Sequence, residues 1–212
     1  MEITRFTCNP FQELTYVLWD KKSLQCAIID PGCLSDDEQE RLSRFIADNR
    51  LSVKHLLLTH LHIDHYYGAP FVARTYHVGV EANAAEKPLL DMMQQQAIAF
   101  GTPPPADILP ITRYLADGDT LYIGDEPLQV IGAAGHSPGG IAFYAPESGF
   151  VCSGDSLFCG SIGRTDFIGG NYEQLIESLH KGICSLPPET VVYPGHGPET
   201  TIGDELRHNP FL

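Results

Sequence analysis

The chain has 212 residues, 43% hydrophobic and 19% charged, with a formal charge of −14 and a pI near 4.9. That length holds a substantial core, and the composition is that of an ordinary soluble globular protein. The negative charge, with no run of Lys or Arg to offset it, excludes nucleic acid as a partner; with no span-length apolar run and no basic-then-apolar start, a cytoplasmic protein with no membrane contact is expected.

Residues 15–19 and 27–29 are rich in β formers and flank the turn Asp20-Lys21-Lys22-Ser23, which predicts a hairpin. The second strand breaks at Asp30-Pro31-Gly32. Ser35 stands three residues before Glu38, the spacing of a capping box, and Leu42, Phe45 and Ile46 follow at helical spacing. An amphipathic helix over 36–49 is therefore predicted. A β-rich run from Val53 through Leu56-Leu57-Leu58 to Thr59 reads as a buried strand. A short helix begins or breaks near Gly68 and Pro70. Pro88 as a first helical residue and Gly101 as a stop bracket one further helix. Leu89, Met92, Met93, Ala97 and Phe100 share its apolar face, and the Met pair reads as core filler. Thr102-Pro103-Pro104-Pro105 is a stiff loop within a single domain, 1–212.

The second half is strand-rich, with β runs at 121–123, 128–131, 141–144 and 150–153. Asn171 caps a helix carrying Leu175, Ile176 and Leu179 that stops at Gly182, and 190–193 is a last strand. The two halves share one grammar: several strands, a helix, then a strand delivering polar residues to a loop. The 6 cysteines form no C-x-x-C pair and read as reduced, mostly buried thiols.

Chemistry collects at strand ends. His60, His62, Asp64 and His65 fall within six residues directly after the strand that carries Leu56 to Leu58. Each of those imidazoles would otherwise need its own hydrogen-bond partner. Single glycine-flanked residues follow three later strands: His136 after Gly135, Asp155 after Gly154, and His196 between Gly195 and Gly197. Alone, His136 or His196 is more often a satisfied structural histidine; with the first cluster, a metal explains all of them. Imidazole and carboxylate donors suit zinc, iron or manganese. His60 and His62 alternate on extended backbone and reach one metal. Asp64 and His65, a turn further on, face a second. His136 completes the first site, His196 the second, and Asp155 lies between. Two metals about 3.5–4 Å apart share a water and lower its pKa towards about 7. They also polarise a carbonyl. Metal-assisted hydrolysis is the expected chemistry.

The set His60-x-His62-x-Asp64-His65 with His136, Asp155 and His196 resembles the ligand set of the metallo-β-lactamase superfamily. The likeness covers nearly the whole chain, and Asp30-Pro31-Gly32 matches that family's first motif. The resemblance implies an α/β (α+β) fold, a four-layer αββα sandwich of two ββα halves with the site along one edge. It implies two divalent metal ions, zinc first, with His60, His62 and His136 on one, Asp64, His65 and His196 on the other, and Asp155 bridging. Gly163-Arg164-Thr165-Asp166-Phe167, Tyr193-Pro194-Gly195-His196-Gly197 and the tail Asn209-Pro210-Phe211-Leu212 look most like single-domain glyoxalase-II-like hydrolases. Those enzymes cleave thioesters such as S-lactoylglutathione to a hydroxy acid and a thiol. The run from Gly163 to Phe167 also resembles persulfide dioxygenases, which use a single iron. Asp155 sets the chain apart from true β-lactamases, which generally lack an aspartate there.

Glyoxalase II proper carries a helical C-terminal domain that grips glutathione, whereas this chain stops about sixteen residues after His196. A thioester hydrolase with an open choice of thiol is the leading expectation, ahead of a one-iron persulfide dioxygenase and of a metal-binding or redox module without hydrolysis. Asp64 is expected to be both ligand and proton acceptor. Arg164 either binds an anionic substrate or pairs with Asp166 and holds its loop. Asp30 is read as structural, and Tyr66 and Tyr67 as pocket lining or helix packing. His55, His77, His180 and His208 carry no assigned role. The expected partner is a small-molecule thioester, and the sequence permits a homodimer.

Overall fold

A computed structural model describes residues 1–212. Its first sheet has six strands in simple order: β1 (Glu2–Cys8), β2 (Glu13–Trp19), β3 (Gln25–Ile29), β4 (Ser52–Leu57), β5 (Val80–Ala82) and β6 (Ile111–Tyr114). Helices α1 (Asp36–Asp48), α2 (Ile63–Tyr66), α3 (Ala69–Tyr76), α4 (Lys87–Asp91) and α5 (Met93–Phe100) connect its later strands. The second half supplies β7 (Thr120–Ile123), β8 (Glu126–Gly132), β9 (Ile141–Ala145), β10 (Phe150–Gly154), a small ribbon of β11 (Leu157–Phe158) and β12 (Ser161–Ile162), then β13 (Val191–Pro194) and β14 (Thr200–Thr201). The second sheet runs β14-β13-β10-β9-β8-β7, and helices α6 (Tyr172–Lys181) and α7 (Ile202–His208) accompany it.

Side-chain alternation along the strands explains the layering. Successive residues of a strand point to opposite faces. In β2 and β3, Tyr16, Leu18, Ala27 and Ile29 pack against Leu121, Val130, Phe143 and Cys152 of the second sheet. Their neighbours Val17, Cys26 and Ile28 pack the other way, with Leu42 and Ile46 of α1 and Val72 of α3. In β9, Ile141 and Phe143 face the first sheet, while Ala142 and Tyr144 join Leu175 and Leu179 of α6. Helix, sheet, sheet and helix thus form the expected four-layer αββα sandwich. Central strands buried on both faces read as unbroken apolar runs, which is why β3, β9 and the Leu56-Leu57 end of β4 stand out in the sequence.

The capping box of α1 is present: Ser35 Oγ accepts from the Glu38 amide and the Glu38 carboxylate accepts from the Ser35 amide. Asn171 caps α6. The helix predicted over 88–101 is broken at Met92, which has φ −104° and ψ 10°. The Leu89 carbonyl, the ordinary acceptor for the amide four residues on, instead accepts from the Met92 amide and the Gln96 side chain. The break turns the second piece, so Phe100 leaves the apolar face expected for it and is 41% exposed. Met93 is core filler as expected, but Met92 lines a cavity. Five cysteines are buried, Cys159 is exposed, and all are free. Strands β1, β5, β6, β11, β12 and β14 and helix α7 have no counterpart in the sequence reading. Strands β1 and β6 are the edges of the first sheet, where one side needs no partner and the apolar signal is weak; the other four have two or three residues each.

Candidate metal centre

Strand β4 ends at Leu57, and its chain continues as an extended segment through His62, whose φ and ψ are −73° and 149°. Alternation along that segment brings His60 and His62 to one side. Helix α2 then starts at Ile63, and its turn carries Asp64 and His65 to a second position. The other half delivers His136 after β8, Asp155 directly after β10, and His196 two residues beyond β13. All seven predicted residues converge at the edge where the two sheets meet.

Two triads form. Ligand atoms of His60, His62 and His136 lie within 4.8 Å of one another, as do those of Asp64, His65 and His196. His62 Nδ1 is 2.9 Å from His136 Nε2. Asp64 Oδ2 is 3.1 Å from His196 Nε2 and 3.7 Å from His65 Nε2. Asp155 stands between the triads: Oδ2 is 3.6 Å from both His136 Nε2 and His196 Nε2, and Oδ1 is 3.4 Å from His65 Nε2.

A model of the metallo-beta-lactamase superfamily matches residues 8–196. The chain belongs to that superfamily. It is 38% identical to hydroxyacylglutathione hydrolase GloC of Haemophilus influenzae, over 100% of this chain and 98% of that one. Among solved structures it is similar to the B3 metallo-beta-lactamase BLEG-1, with a TM-score of 0.90, 35% identity and coverage of 100% and 99% of the two chains. It is also similar to TTHA1623 in a di-iron-bound form, with a TM-score of 0.87, 38% identity and coverage of 99% and 100%.

The site of this superfamily member fits a metal on its own chemistry. His60 Nε2, His65 Nε2 and Asp155 Oδ1 are buried and have no hydrogen-bond partner. Burial of unpaired polar atoms is costly unless something binds them. Burial, and then the neighbouring His65, hold His60 far below the usual imidazole range. Burial and His136 push His62 down to about 3. Both rings are therefore held neutral, the form in which an imidazole coordinates a metal.

Further residues aim these side chains, as supporting partners do around metal ligands. Asp30 Oδ1 accepts the Thr59 amide, and its Oδ2 sits 2.6 Å from Thr59 Oγ1 and 3.1 Å from His65 Nδ1. The carbonyls of Arg164 and Phe11 orient His136 Nδ1 and His196 Nδ1. Asn9 Nδ2 donates to the Asp64 carbonyl. Glu86, buried, accepts from the amides of Leu61 and Gly139 and so joins the first ligand loop to the His136 loop. Gln96 Oε1 accepts the Ile63 amide, and its Nε2 donates to the Leu61 carbonyl. Asp30 was visible in the sequence as a strand end. Asn9, Glu86 and Gln96 carried no signal, because each serves a backbone group far away in the chain.

Glycine is required where the loops touch. A Cβ on Gly195 would stand 2.2 Å from Asp155 Oδ1, and Gly154, with φ +52°, lies against Thr59. Above the triads opens a cavity of 410 Å³, walled by Phe11, Phe100, Phe158 and Phe167 and by His62, Asp64, Asp155 and His196. Arg164 is on its rim, but its guanidinium grips Asp166 through two bonds of 2.7 and 2.6 Å and lies 4.0 Å over the Phe167 ring. Of the two roles read for it, loop-holding is the one with contacts. Tyr66 is packed in the core, and Tyr67 donates to Thr102 Oγ1. His55 pairs with Glu81 away from the site.

Proposed function

We propose that this chain is a two-metal hydrolase of thioesters of the hydroxyacylglutathione type. The observation that carries the reading is the pair of histidine-rich triads with Asp155 between them, with the buried Nε2 atoms of His60 and His65 unpaired. The similarity to a hydroxyacylglutathione hydrolase over both full lengths supports the choice of thioesters. His60, His62 and His136 would hold one ion, Asp64, His65 and His196 the other, and Asp155 would serve both.

When bound, the ions supply Lewis acidity to a carbonyl and make a shared water acidic near neutral pH. The protein does the rest. The phenylalanine walls shed water from around the thioester carbonyl, which strengthens every polar contact made there. Asp64, held by His196 at 3.1 Å and open to the cavity, takes the proton that the attacking water loses. The departing sulfur takes a proton as the C–S bond breaks, leaving a free thiol and a carboxylic acid.

The test is a side-by-side assay on the purified protein. Loss of S-lactoylglutathione with release of glutathione is expected, and oxygen uptake with glutathione persulfide is not. A chromogenic β-lactam belongs in the same assay, given the likeness to BLEG-1. Oxygen uptake or β-lactam turnover without thioester cleavage would sink the reading.

A further inference from the structure

A second cavity, of 470 Å³, opens beside the first and shares His62, Phe100, Arg164 and Phe167 with it. The edge-to-face pair Phe100–Phe167, with ring centroids 5.9 Å apart, is the ridge between them. Leu89, Met92, Ala99 and Ile168 complete the apolar wall beyond that ridge.

Of the polar groups of this wall, Gln95 is an exposed neutral amide, while Gln96 and Arg164 are already engaged. Gln96 holds the Ile63 amide and the Leu61 and Leu89 carbonyls. Arg164, the cavity's single cationic side chain, is held by Asp166 and the Phe167 ring. No free charge is left to grip a carboxylate. Apolar surface is exposed at the rim instead: Ile168 is 63% exposed and Phe100 41%. The wall is also firmly placed, because Gln96 fastens α5 to the loop between His60 and Asp64. Met92 adds a side chain able to adapt to irregular apolar shapes.

We propose that this second cavity is an acyl subsite, which takes an extended apolar acyl chain while the thioester carbonyl lies at the metal centre. The thiol carriers of thioesters are polar, so an apolar groove without free charge suits the acyl half. The proposal rests on the thioester reading above.

The test uses thioesters of one small neutral thiol, N-acetylcysteamine, carrying acetyl, butyryl, hexanoyl or octanoyl groups. In the unmodified protein kcat/KM should rise about threefold to fourfold per added methylene, as burial of each one predicts. Ala99→Trp, which fills the cavity from an exposed helix position, should collapse the octanoyl-to-acetyl ratio. Gln94→Trp, on the same helix outside the cavity wall, should leave that ratio unchanged. Calorimetry with the non-hydrolysable S-octyl and S-ethyl thioethers of the same thiol gives a readout free of turnover. The octyl compound should bind more tightly, and Ala99→Trp should remove the difference. A flat chain-length series with equal thioether binding, while acetyl and lactoyl thioesters are cleaved, overturns the subsite alone. Tight octyl binding with no thioester cleaved keeps the groove as an apolar site and sinks the hydrolase reading.

Discussion

At the scale of single residues, the seven candidate ligands were legible because each breaks a local rule. Histidines and carboxylates after apolar strands, flanked by glycine, have few structural explanations. The residues that aim them obey local rules and so stay hidden. Asn9, Glu86 and Gln96 are such cases, whereas Asp30 shows in the sequence as a strand end. Replacing Asp30 with Ala leaves the Thr59 amide without its acceptor and His65 Nδ1 without its partner. Metal affinity is expected to fall about 10- to 100-fold, as for other partners of metal ligands. Competition against a chelating dye measures this; an unchanged affinity would show that Asp30 serves the fold only. Glu86→Ala orphans two buried amides, those of Leu61 and Gly139. A loss of about 1–3 kcal/mol for each is expected in urea denaturation. A loss below about 0.5 kcal/mol, the range of an ordinary surface change, would contradict the joining role.

At the scale of elements, the boundaries set by local chemistry were readable and those set by distant contacts were not. Ser35 with Glu38, and Asn171, announce α1 and α6 because capping is written within four residues. The break between α4 and α5 depends on Gln96 reaching back to Leu89 and across to the loop that holds His62. Periodicity alone runs the helix straight through. That break turns Phe100 towards both cavities, so one glutamine shapes a cavity wall and steadies the loop of candidate ligands. Gln96→Leu keeps the bulk but leaves the Ile63 amide unpaired. Hydrogen exchange across residues 93–100 is expected to quicken and KM for a thioester to rise, with the fold retained. Unchanged exchange there would mean that packing by Met93 and Ala97 alone secures the helix.

At the scale of the whole molecule, the repeated grammar of the two halves corresponds to the two sheets. The first sheet carries His60, His62, Asp64 and His65; the second carries His136, Asp155 and His196. Backbone bonds stitch the halves together at the site, from the Ile141 amide to the Thr59 carbonyl and from the Leu14 amide to the Gly195 carbonyl. Neither half holds a complete site, so the metal centre and the packing of the sandwich depend on each other. The four layers were legible through the family resemblance; the apolar runs marked single strands such as β3 and β9, not their stacking. The edge strands β1 and β6 were not legible, because half of their surface meets solvent, nor was β5, which is three residues long.

The measurement that bears most directly on the two-site reading is a titration of the metal-free protein with zinc, followed by bound metal and by thioester cleavage together. Two equivalents per chain are expected, with cleavage complete only at the second, and His196→Ala should bind one equivalent and stay inactive. Full cleavage at a single equivalent, or a His196→Ala protein as active as the parent, would contradict the account.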